Sequence, residues 1–221
     1  MKQILFNTEM VKAILDGRKT VTRRVLAEKE RLDKKHGLDR EPYKFRTGEW
    51  CVDKQTDVDD YRTCVLQPRY QPGDVLYVRE TWYKDPTRYM YKANYSDTEK
   101  FFGDGKEVQI KWRPSIHMPK AAARLFLRVA DIRVERLQEM PHDAPKKEGI
   151  HYCECPDGFT WNSHTTMRDC YINQMGAMKA LWNSTVKKSD LETYGWDANP
   201  WVWVIEFERI SREEAEKEEN D

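Results

Sequence analysis

The stretch Ile14 to Arg24, ILDGRKTVTRR, sets four cationic side chains and two hydroxyls beside a glycine. These residue types suit two kinds of chemistry. Arginines and lysines hold anions and steady the negative charge that grows on oxygen during acyl transfer, and a hydroxyl beside a lysine can serve as a nucleophile. The same types also make an ordinary solvated turn, because short motifs often arise without function. Elsewhere, Glu80 falls on an otherwise apolar side of VLYVRETW. There it is either a charge at the strand's solvent end or a partner for a pocket arginine or a base's amino edge. Trp82 and Tyr83 follow it; their rings could stack a base, although alternating aromatics more often fill a core. HYCEC, His151 to Cys155, offers three soft ligands, with Cys64 or Cys170 as a fourth. It lacks the paired C-x-x-C of a zinc knuckle, so no metal is expected. His117 in SIHM reads as a structural loop histidine. No Walker loop, dinucleotide fingerprint or serine elbow is present, and no cofactor is expected.

The elements that must position these residues follow from periodicity. Thr8 can cap a helix through Asp16, with Met10, Ala13 and Ile14 on one face and Gly17 as its left-handed stop. In TVTRRVL, Val21 and Val25 point one way while Thr20, Thr22 and Arg24 point the other, which predicts a strand. From Ala27 to Arg46 the chain is charged and aperiodic. Strands around Trp50 and Val65 then flank DKQTDVDD, a predicted hairpin with a polar tip. A Pro-Gly-Asp turn opens a strand on which Leu76, Val78, Glu80 and Trp82 share a side. RYMYKA and VQIKW read as further strands, RLFLRVADIRVERL as a long strand bending near Asp131, and WVWVIEFERI as a central strand apolar on both faces. MPHDAPKKEGI predicts a short helix and TTMRDCYINQMGAMKALWNS one of several turns.

The 221 residues suffice for one domain with a sizeable core, which eight Trp, eleven Tyr and seven Phe can supply. Lys plus Arg and Asp plus Glu both count 38, so no global basic field marks a DNA-coating protein. The acidic excess gathers in SREEAEKEEND, Ser211 to Asp221, which reads as a frayed or disordered tail and leaves the body mildly basic. The N-terminal apolar run is too short for a signal peptide, no segment could span a bilayer, and five unevenly spaced cysteines suit a reducing compartment. A cytoplasmic protein without membrane partners is expected. Pattern alone suggests an α+β chain with a closed or partly closed small sheet and helices at its rim.

Four separated pieces, AILDGRKTVTRR, PGDVLYV, EGI and VIEF, stand in the order and placement found in the ASCH family of the PUA-like superfamily, which the chain therefore resembles. KWRPSIHMPKAAARLFL and NPWVWVIEF are similar to the longer members that bacteriophages and prophages commonly encode. The resemblance implies a single domain over 1–210, a PUA-like mixed β-barrel with insertions at about 27–70, 84–111 and 151–199. It also implies ligands related to RNA or modified nucleosides. Small bacterial members are amidohydrolases that remove the acetyl group from acetylated cytidine with a Lys, a Thr and a Glu, which here fall on Lys19, Thr22 and Glu148. Arg24 matches a family arginine. Arg23 stands where the family has an apolar residue.

Under this resemblance amide hydrolysis has two branches. In one, neutral Lys19 takes the proton of Thr22, and Arg18, Arg23 and Arg24 favour that neutral form by like-charge repulsion. In the other, Lys19 stays charged as an oxyanion clamp while Glu148 activates water or a hydroxyl. An acyl adduct on Thr22 would mark the first branch. Both need a bend, because Lys19 and Thr22 face opposite sides of an ideal strand. Arg18, Arg23, Arg24, Glu80 and Trp82 are the expected substrate contacts. The alternatives are a noncatalytic binder of RNA or a modified base, a ribonuclease using the same cations on phosphate, and an accessory protein that binds a host protein.

Overall fold

The computed structural model describes residues 1–26, 41–57, 60–103, 106–155, 158–162, 170–171 and 173–220. In chain order its elements are β1 (Lys2–Leu5), α1 (Thr8–Leu15), β2 (Val21–Val25), β3 (Tyr43–Lys44), β4 (Trp50–Asp57), β5 (Asp60–Val65), β6 (Val75–Arg79), β7 (Trp82–Lys84), β8 (Tyr89–Tyr91), β9 (Phe101–Gly103), β10 (Lys106–Val108), β11 (Phe126–Arg136), α2 (Ala144–Lys147), β12 (His151–Cys155), β13 (Gly158–Asn162), β14 (Cys170–Tyr171), α3 (Gln174–Thr185), α4 (Leu191–Tyr194), β15 (Trp201–Ile210) and α5 (Arg212–Asn220). The α+β class is as expected. A mixed five-stranded sheet, ordered β1-β6-β11-β15-β2, carries the core.

In this sheet β1 runs parallel to β6 and the other pairings are antiparallel. WVWVIEFERI takes an interior place between β11 and β2 because both of its faces are apolar, with Val202 and Val204 at 0 % exposure on one and Ile205 at 3 % on the other. The bend near Asp131 is a bulge between Val129 and Asp131. The two edge strands, β1 and β2, are joined by a side chain: Arg24 Nη2 donates to the Leu5 carbonyl at 2.9 Å. Among the described residues no backbone ladder runs between β1 and β2, so the sheet is not a hydrogen-bonded barrel.

The stretches 27–70, 84–111 and 151–199 contribute no strand to this sheet among the described residues; their strands form small sheets of their own. The DKQTDVDD hairpin is β4 paired with β5, its tip at 58–59 lying outside the described residues. VQIKW departs from expectation. Only Val108 belongs to a strand there, and Arg113 beyond it makes an isolated bridge to Trp82. The helix expected across TTMRDCYINQMGAMKALWNS begins only at Gln174, because Asn173 caps it by accepting from Gly176 N. Residues 165–169 and 172 of that stretch lie outside the described set. At α1 the cap is Asn7, which accepts from Met10 N at 2.8 Å, rather than Thr8.

The acidic end is also a correction, since Arg212–Asn220 is a helix rather than a disordered tail. Charge suggested disorder, but Ala215 is buried at 0 % exposure against a second apolar cluster with Trp82, Met118, Phe126 and Ile210. Glu219 accepts from the Met1 amine at 3.1 Å and from Lys120 at 2.5 Å, while Arg128 pairs with Glu218 and Glu208. Basic residues from distant parts of the chain therefore hold the helix down. Among the described residues no helix is long and apolar enough to cross a membrane.

Candidate functional site

Two helix ends, each closed by a left-handed glycine, bring Lys19 and Glu148 together. At the first, α1 buries Met10, Val11, Ala13 and Ile14 against the main core, which fixes where it stops. Gly17 then takes φ +73°, and the chain folds back so that Arg18 N and Lys19 N both donate to the Ala13 carbonyl, at 2.9 and 3.0 Å. At the second, Gly149 takes φ +100° just past α2, while Glu148 N donates to Ala144 O and Ile150 N to Pro145 O. Cross-links lock the two turns: Thr20 N donates to Lys147 O at 2.9 Å and Arg18 Nη1 to Gly149 O at 2.8 Å.

The chain does bend at Gly17, but the bend brings Lys19 into hydrogen bonds with Val21 and Glu148 rather than with Thr22. The Lys19 side chain curls along the free edge of β2 and donates to Val21 O at 2.8 Å, Glu148 O at 3.1 Å and Glu148 Oε2 at 2.6 Å. All three ammonium protons thus have acceptors. The pair is sealed, with side-chain exposures of 0 % for Lys19 and 4 % for Glu148. Burial pushes the Lys19 pKa below its ordinary 10.5, the Glu148 carboxylate opposes that, and Arg24 and Arg23 add to the lowering. The other Glu148 oxygen accepts from Arg23 Nη1 at 3.1 Å. Arg23 in turn gives Nε and Nη2 to Glu135 Oε1 at 3.0 and 2.6 Å. A buried chain of alternating charges therefore runs Lys19, Glu148, Arg23, Glu135.

Thr22 and Arg24 lie on the opposite face of β2 from Arg23. Thr22 is paired with Ile205 and Arg24 with Trp203, and cross-strand partners share a face. On that face is a cavity of about 560 Å³, lined by Arg24, Ile132, Trp203 and Ile205 from the sheet and by Arg69 and Tyr70 from the segment entering β6. Thr22 is buried, and among the described residues no hydrogen bond joins it to Lys19 or Glu148. Lys19, Thr22 and Glu148 do not line this cavity; Arg24 Cζ and Lys19 Nζ lie 5.5 and 5.6 Å from the centre of the Phe6 ring, which thus stands beside one cation of the cavity and one of the sealed pair.

The remaining expected contacts disperse. Arg18 serves the turn, bonding Gly149 O and Asp16. Arg23 supports Glu148 from behind. Glu80 is neither at a solvent end nor beside the cavity: it is 1 % exposed, and Arg124 holds both its oxygens at 2.8 and 2.9 Å while lying 4.1 Å from the Tyr91 ring centre. Trp82 is core, packed with Met118 and Phe126 in the second cluster. Of the five expected binding residues only Arg24 lines the cavity. Arg69, Tyr70, Trp203 and Glu135 were not foreseen; the run QPRYQPG, with an arginine and an aromatic just before a turn, was the available signal for two of them. The side chains of Cys64, Cys153, Cys155 and Cys170 lie outside the described residues. Searches against protein-family models, curated proteins and solved structures give no match.

Proposed function

We propose that the chain is an ASCH-type protein of PUA-like fold, and that it is an amidohydrolase removing the acyl group from an N-acylated cytidine or a similar modified nucleoside. The observation that carries the reading is the convergence of Lys19 and Glu148, 129 positions apart in sequence, to 2.6 Å beside the edge strand β2, whose Arg24 and Val25 line the cavity. Structural ion pairs are also buried in this way. What favours use over mere support here is the neighbourhood: an arginine-lined cavity within the size range of small-molecule sites, reached from the pair along the same edge strand.

The geometry suits the water-attack branch. Thr22 lacks a base within hydrogen-bonding contact and does not line the cavity, so it is given no part in the attack. Glu148 takes a proton from water, and the resulting hydroxide adds to the acyl carbonyl. The Lys19 ammonium steadies the oxyanion. Collapse breaks the C–N bond, the proton held by Glu148 passes to the departing amine, and the products are cytidine and a carboxylate. Arg23 keeps Glu148 aimed at Lys19. Lys19 and Glu148 do not line the cavity, so the reaction requires a rearrangement that opens it to them, with Phe6, beside both Lys19 and Arg24, as the side chain that moves.

A noncatalytic reader of the same ligand is favoured by one observation: the three Lys19 donors are already satisfied, as they would be in a purely structural clip. Incubation with N4-acetylcytidine separates the two. The enzyme yields cytidine and acetate, with turnover lost in Glu148→Gln protein shown to be folded. Saturable binding without products would establish the reader.

A further inference from the structure

The arginines of this protein generally meet carboxylates, as Arg23, Arg124, Arg128 and Arg133 do. Arg24 and Arg69 do not. Both line the same cavity, and among the described residues neither has a carboxylate within ion-pair distance. Each is nonetheless held in place. Arg24 is fixed by its bond to the Leu5 carbonyl and by the Phe6 ring. Arg69 lies over the Tyr70 ring at 5.6 Å, and Tyr70, 5 % exposed, is itself anchored by donating its hydroxyl to the Gln3 carbonyl at 2.7 Å. Burial lowers the Arg24 pKa, the Glu148 carboxylate opposes that from beyond ion-pair distance, and Arg69 adds a smaller push downward across the cavity that both arginines line. Arg24 is half-buried and Arg69 reaches solvent at the rim, so an anion entering the cavity meets both and relieves their mutual repulsion.

We propose that Arg24 and Arg69 form a phosphate subsite, so that the ligand of this cavity is a nucleotide rather than a neutral nucleoside. A phosphate monoester carries a charge of about −1.5 to −2 at neutral pH, which matches two guanidinium groups, and its oxygens accept the forked donors of both. The apolar remainder of the wall, Ile4, Ile132, Ile205 and Trp203, is left for a base and sugar. The choice of a nucleoside moiety rests on the function proposed above; the anion subsite rests on the charges alone.

Titration calorimetry with four probes tests this: cytidine, cytidine 5′-monophosphate, inorganic phosphate, and a short cytidine-containing RNA with hydroxyl ends. The monophosphate is expected to bind at least tenfold more tightly than cytidine, the range for a lost charge-assisted hydrogen bond being about 10- to 100-fold. Arg69→Gln, on an exposed side chain, should abolish that difference between the two compounds. Equal binding of cytidine and its monophosphate by the wild type overturns the proposal, as does unchanged monophosphate affinity in Arg69→Gln. Arg69-dependent binding of the hydroxyl-ended RNA at the strength of the monophosphate would uphold the subsite and assign its phosphate to the strand's diesters. Arg69-dependent binding of inorganic phosphate with no binding of either cytidine compound would uphold the subsite and defeat the nucleoside reading.

Discussion

Glu148→Gln is the substitution that most sharply probes the buried pair. The amide fills nearly the same volume but turns a donor or a neutral oxygen toward an ammonium that is 0 % exposed and had a carboxylate oxygen 2.6 Å away. Lys19 keeps the Val21 and Glu148 main-chain acceptors, so one charge-assisted bond and the countercharge are lost. Removing one partner of a buried pair costs about 3–5 kcal/mol. For a domain of this size that lowers Tm by roughly 6–20 °C. The sign with pH follows from the direction of the Lys19 shift. Its folded pKa lies below its ordinary 10.5, so between the two values the unfolded chain binds more protons and stability rises with pH. Losing Glu148 removes the largest influence holding that pKa up, so the variant's folded pKa falls further. The Glu148→Gln penalty is therefore greatest below both folded values and shrinks as pH rises through the wild-type one, because neutral Lys19 needs no countercharge. Thermal melts at several pH values, with Lys19→Met and the double variant completing a cycle, measure this. The double variant should be less destabilised than the sum of the singles by 1 kcal/mol or more, within the about 0.5–3 kcal/mol range of contacting pairs. A Glu148→Gln cost under about 1 kcal/mol, or an additive cycle, would refute a sealed ion pair.

The other expectations are more local. Gly17→Ala should lower stability by about 1–2 kcal/mol through backbone strain alone, because a Cβ at φ +73° meets nothing within 4 Å; Gly17→Asn should recover part of the loss in the same denaturation assay. Arg124→Met strands the buried Glu80 carboxylate and should cost about 3–5 kcal/mol in chemical denaturation while leaving ligand binding at the cavity intact. Removing residues 212–221 uncovers Phe126 and Ile210 and should reduce Tm measurably, whereas a disordered tail would leave it unchanged. Mass spectrometry of protein quenched during turnover should find no acyl group on Thr22; a trapped adduct would restore the nucleophile branch.

Local chemistry was legible where one residue type decides it. Gly17, the alternation in TVTRRVL and the doubly apolar WVWVIEFERI each point to the structure observed, because backbone freedom and burial of both faces leave little choice. Lys19 and Glu148 were paired through a resemblance, since no spacing rule relates residues 129 apart. What stayed hidden depends on tertiary partners. Arg23 and Arg24 are adjacent and alike in sequence, yet opposite faces of one strand send the first to Glu135 and Glu148 and the second into the cavity. Glu80 could not be told from a ligand carboxylate until Arg124, 44 positions later, was placed on it. The acidic C-terminus reads as tail until Met1, Lys120 and Arg128 are gathered beside it. VQIKW failed because aromatic and β-branched content measures fit to a sheet surface, and Trp112 instead packs on Tyr95 and Phe101 outside any strand.

The most direct test of the central claim is the release of acetate from N4-acetylcytidine by wild-type and Glu148→Gln protein, each confirmed folded by its melt. Turnover by the wild type that disappears in the variant is the predicted result. Folded wild-type protein that releases no acetate, or a variant that releases it at the wild-type rate, would contradict it.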